Sequence, residues 1–99
     1  MAEITKELFL RQKIANFIIF IEQKIGKENS IYSEFCAYQA DLNKFLQMII
    51  QVSNFTKNNL SHDNIQKYLE FKGVSAVLLK DDLDKIVRYY QMFIKIINL

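Results

Sequence analysis

The chain has 99 residues, 51% of them apolar and 24% charged, which is enough for one helical or mixed core and too little for a second. That composition excludes the disordered, collagenous and disulfide-scaffold classes. Thirteen basic residues against eleven acidic ones leave a net charge of +2, too mild to serve as a nucleic-acid signature, and only Arg11 and Arg88 are arginines. The lone cysteine, Cys36, forbids an intramolecular disulfide, so a reducing, cytoplasmic setting is expected.

The chain has no proline and two glycines, Gly26 and Gly73, so these two punctuate it. Glycine tolerates the left-handed conformation that closes a helix, and both are read as caps that follow helices. The first helix is predicted over 3–25, where Ile14, Ile18, Ile21 and Ile25 form an apolar stripe. The apolar run at 14–21 falls short of the roughly 20 residues that a bilayer span needs, and no small-x-small cleavage pattern follows it. A core helix is therefore predicted, with no membrane insertion.

The second helix is predicted over 31–56 behind a cap at Asn29 or Ser30, with Phe35, Tyr38, Leu42, Phe45, Ile49 and Val52 recurring at three- and four-residue steps. The third is predicted over 62–72 behind Ser61. The fourth starts at 75 or 76 and continues to the end of the sequence, with Leu79, Leu83, Ile86, Tyr90, Phe93 and Ile97 as its stripe. Short connections at 26–30, 57–61 and 73–75 turn neighbouring helices back on each other. The expected fold is an all-α antiparallel four-helix bundle, three helices long and the third short, in a single domain over 1–99.

Chemistry-bearing residues are sparse. The one histidine, His62, falls in the first turn of the third helix beside its cap and reads as a surface residue. Cys36 reads as a small, half-buried hydrophobe. Asp81, Asp82 and Asp84 suit the positive end of the fourth helix, and Asp81 with Lys85 and Asp84 with Arg88 are spaced for i,i+4 pairs. At about 100° per residue the three aspartates diverge, which argues against a cation site. No glycine-rich phosphate loop is present. No catalytic residue, metal ligand or cofactor is assigned, and an enzyme is not expected.

One stretch, 61–87, opens at Ser61 behind Leu60 and continues with Ile65, Tyr68-Leu69, Gly73-Val74-Ser75, Leu79 and Asp82-Leu83, and it resembles the helix-turn-helix of DeoR-type bacterial repressors. The resemblance covers about a quarter of the chain and implies a recognition helix over 75–86 that would use Lys80 and Lys85 on DNA. That helix also carries three aspartates where phosphates and base edges call for cations and amides.

Several apolar residues lie off the core stripes at 100° per residue. Phe9 and Phe20 share one side of the first helix, and Leu78, Tyr89, Met92 and Ile96 form a second strip on the fourth, interrupted by Lys85. Asn43, Gln47, Gln51 and Asn54 make an uncharged amide face on the second helix. Arg11 and Glu22 fall on the core side of the first helix as a candidate polar pair. Apolar strips of this kind mark contact surfaces. The expected function is that of a small non-enzymatic interaction protein, such as an inhibitor, immunity-type factor, adaptor or secretion chaperone. Phe9, Phe20, Tyr89, Met92 and Ile96 are its candidate interface, and its partner is another protein or a second copy in a two-fold dimer. The alternative is a DNA-binding regulator using 61–86.

Overall fold

Gly26 and Gly73 both adopt positive φ, +98° and +84°, and each ends a helix as its type requires. The Gly26 N–H reaches back to the Ile21 carbonyl at 3.0 Å, and the Val74 N–H to that of Leu69 at 2.9 Å. In the computed structural model, which describes residues 2–98 and the side chains of 6–98, the helices are α1 (Ala2–Lys24), α2 (Ser30–Ala40), α3 (Leu42–Thr56), α4 (His62–Phe71) and α5 (Lys80–Ile97). No strand occurs among the described residues.

The expected second helix is thus two helices, broken at Asp41. Its backbone turns extended there, at φ −133° and ψ 97°. The Asp41 N–H still bonds the Ala37 carbonyl and closes α2, while its carboxylate accepts from the Asn43 and Lys44 N–H groups and opens α3. An aspartate can break a helix without glycine or proline because it offers the next turn's free N–H groups an acceptor. The Arg11 guanidinium donates to the Gln39 carbonyl, one of the acceptors left free at the end of α2. The expected caps at Asn29 and Ser61 are present, accepting from the Tyr32 and Asn64 N–H groups.

The start of the last helix differs as well. Residues 74–79 run without helix, turn or bend, and their exposure alternates: Val74 is buried and Ala76 and Leu78 pack against the core, whereas Ser75, Val77 and Leu79 face outward. The β-branched, apolar composition suits an extended path pinned by alternate residues, and α5 begins at Lys80, where Asp81 and Asp82 enter its first turn.

Contacts close the helices into a ring, each against the next in chain order and α5 back against α1, with α3 also touching α5. Helices α1 and α5 are antiparallel: Lys24 lies 3.6 Å from Asp82 at one end, and Lys6 Nζ donates to the Ile97 carbonyl at 3.0 Å at the other. The short α4 is tied at its start by a His62–Asp84 pair to α5 and beyond its end by a 2.6 Å Lys72–Glu34 pair to α2.

The core is continuous and strongly aromatic, including Phe17, Phe35, Phe45, Tyr68, Tyr90 and Phe93. Among the described residues no helix is long and apolar enough to cross a membrane.

Candidate functional site

The strip expected to lie off the core divides in two. Phe20 and Ile96 are buried within the chain itself, 5% and 4% exposed, and so present no surface to a partner. The reason is the closure of α5 on α1, which the helical projection of either element alone does not contain. Tyr89 packs edge-on to Phe17 at 4.8 Å and tilted to Phe20 at 6.2 Å, so residues on the outer side of both stripes meet in the α1–α5 seam. Phe9 stays exposed, and Tyr89 and Met92 stay half-buried.

These last two floor a groove of about 290 Å³ between α1 and α5, whose other lining residues are Lys13, Asn16, Lys85 and Arg88. Lys13 Nζ stands 5.0 Å above the Phe9 ring, and Lys85 Nζ 4.9 Å above the Phe20 ring. The negative ring faces hold the two ammonium groups against apolar surface at the groove rim. Among the described residues, Lys13, Lys85 and Arg88 have no carboxylate oxygen within 4.0 Å.

That freedom departs from the i,i+4 pairing expected on α5. Two of its aspartates are engaged across helices, Asp82 with Lys24 and Asp84 with His62, and Asp81 lines the neighbouring depression beside Lys85 and Arg88 without an ion pair to either. A tertiary partner held against a neighbouring helix competes well with an exposed i,i+4 pair worth only about 0.3–0.5 kcal/mol. Burial raises the Tyr89 hydroxyl above the usual tyrosine range.

Other expected residues fall elsewhere. Cys36 is exposed rather than half-buried, on the outer side of α2 near Tyr32. His62 is bonded to Asp84 and has no neighbouring nucleophile in its hydrogen bonds. Arg11 and Glu22 do not pair with each other: Arg11 binds Glu7 at 2.8 Å, and Glu22 binds Lys27 at 3.2 Å. Among the described residues no group of three His, Cys, Asp or Glu side chains could hold a metal ion.

Lys80 opens α5, exposed, and Lys85 belongs to the groove. The recognition helix implied over 75–86 is not formed as such, because residues 72–79 separate α4 from α5 where a helix-turn-helix has a turn of about three or four residues. Exposed apolar residues outside the expected interface include Leu8 and Ile19 on α1, Leu46, Ile50 and Phe55 on α3, and Phe71 at the end of α4, while Leu79, expected in the core stripe of the last helix, is 70% exposed at the end of the extended path. Only their neighbours' positions distinguish them from core residues of the same type.

What the helices and this groove define is an all-helical bundle with a rimmed surface cleft between α1 and α5. No protein-family model, no curated protein and no solved structure matches the chain.

Proposed function

We propose that this is a non-enzymatic interaction protein of the cell interior that acts by presenting the α1–α5 face to another macromolecule. The observation that carries the reading is the groove itself: a half-buried tyrosine and methionine between three cations that no carboxylate of the described chain engages. Tyrosine and methionine are enriched at the centres of protein interfaces, and cations left free on a rim steer and orient a partner. The partner is a different molecule rather than a second copy. A two-fold pairing through this face would set the same patch against itself and crowd the Lys13, Lys85 and Arg88 charges of one copy against those of the other.

The test is photo-crosslinking inside the source cell, with a crosslinking amino acid replacing Asn16 in the groove and, separately, Lys67 on the exposed side of α4. Protein adducts formed from position 16 and not from 67 are expected. Adducts to nucleic acid alone, or equal capture from both positions, would overturn the reading.

A further inference from the structure

The arrangement of charge around the groove specifies its occupant more closely. The antiparallel order of α1 and α5 places Lys85 beside Phe20 and Tyr89 beside Phe17, so that Met92 falls opposite Lys13. The three cations therefore stand on both banks of the groove and near both of its ends: Lys13 on the α1 bank toward Met92, Lys85 on the α5 bank toward Phe20, and Arg88 between. The α5 lining from Lys85 to Met92 spans seven residues of rise, about 10 Å, or two helical turns. A channel two turns long, with an apolar floor and cations on either side, complements a short rod with an apolar stripe flanked by anions.

We infer that the α1–α5 groove receives an acidic amphipathic helix of a partner protein. The helix lies along the groove with one or two aliphatic side chains on Tyr89 and Met92 and with Asp or Glu carboxylates on either flank of that stripe against Lys13, Lys85 and Arg88. The inference rests on the reading of the chain as an interaction protein and adds the chemistry of the partner. The apolar floor favours a carboxylate-bearing helix over a nucleic acid, because a phosphate backbone brings no aliphatic side chain to Tyr89 and Met92. A duplex also extends well beyond the two helical turns over which the cations stand. A helix laid between two antiparallel helices also packs by the same ridge-and-groove geometry that holds the bundle together.

The experiment uses the full chain, isotopically labelled, and follows its backbone amide resonances on titration with three probes at low salt. The first is a synthetic helical peptide with leucines at i, i+4 and i+7 flanked on both sides by glutamates. The second is the same peptide with lysine in place of glutamate, and the third is a short DNA duplex. The acidic peptide is expected to shift Asn16, Tyr89 and Met92 and their neighbours, with an affinity that falls as salt screens the rim. Lys85→Glu combined with Arg88→Glu should weaken it by at least about tenfold, and Lys85→Arg should keep it close to wild type. Arg88→Gln, which removes one charge without adding another, should give a smaller loss and serves if the double reversal disturbs folding. Equal binding of the lysine peptide, or binding of the duplex in preference to the acidic peptide, would overturn the acidic-helix occupant. Shifts confined to the Leu46 and Ile50 side of α3 would overturn the groove and leave the interaction-protein reading standing. No shift with any probe up to millimolar concentration would also overturn the inference, and the crosslinking result then decides the broader reading separately.

Discussion

At the scale of single residues, Phe17 is the side chain on which the aromatic core converges. Its ring lies between 4.5 and 6.3 Å from those of Phe20, Phe35, Tyr89, Tyr90 and Phe93, drawn from three different helices. Phe17→Ala should cost about 3–5 kcal/mol by urea unfolding, and Phe17→Leu distinctly less, because the cavity term shrinks with the volume removed. Two other core side chains carry a polar atom. Among the described residues the buried hydroxyls of Tyr68 and Tyr90 meet no hydrogen-bond partner. Tyr90→Phe removes that atom while keeping the ring, and should leave stability unchanged or raise it by up to about 1 kcal/mol in the same measurement.

Ionisation makes the same tyrosines sensitive to alkali. Burial, reinforced by the nearby Glu34 carboxylate, pushes Tyr38 up to about 12, and Tyr68 and Tyr90 are also raised well above the ordinary tyrosine range, with burial again the largest cause. In the unfolded chain a tyrosine loses its proton near pH 10. Above that pH the folded protein holds more protons than the unfolded one, so stability that is intact below about pH 10 falls as pH rises toward 12. Urea midpoints taken across this range should drop steeply, and less steeply in Tyr90→Phe. A flat profile would show that these hydroxyls ionise without unfolding the core.

At the scale of elements, the sequence conveys helix more readily than helix boundary. Gly26, Gly73, Asn29 and Ser61 mark their ends by local chemistry alone, and all four act as expected. Asp41 was not legible as a break, since Phe35, Tyr38, Leu42, Phe45 and Ile49 continue the same apolar spacing across it. An aspartate inside a helical pattern is usually just solvated. Here it caps because α3 must bend away to close the ring. Asp41→Ala should cost about 1 kcal/mol, and Asp41→Ser appreciably less, since serine restores an acceptor for the free N–H groups. Gly73→Ala should cost a further 1–2 kcal/mol by backbone strain alone, roughly, because its φ of +84° lies in the left-handed region while open space surrounds the added methyl. The start of α5 four or five residues late has the same origin as the break at Asp41. Val74, Ala76 and Leu78 reach the core only from an extended path, and Val77 on the outside is left 91% exposed.

At the scale of the whole molecule, the short α4 depends on its ties to both neighbours, and closure of α5 on α1 decides which apolar residues remain outside. The strip at Tyr89, Met92 and Ile96 sits a quarter turn from the core stripe of its own helix, and that offset was legible. What occupies it was not, because α1 supplies Phe17 and Phe20 from the other side of the seam. With Ile96 and Phe20 enclosed and three cations on the rim, the chain should remain monomeric by light scattering up to high micromolar concentration at low salt. Met92→Glu should lower the melting temperature modestly, because the side chain it replaces is half-buried against the core. A concentration-dependent mass abolished by Met92→Glu would instead assign the groove to a second copy.

Composition and periodicity alone determined the helical class, the closing glycines, two of the caps and most of the buried stripe, because each depends on interactions within a few residues of chain. The break at Asp41, the extended path through 74–79, the pairing of Asp82 with Lys24 and Asp84 with His62, and the groove with its free cations were decided only by the tertiary structure. Each depends on which helix lies alongside, and a helical projection gives the direction of a side chain without giving what it meets.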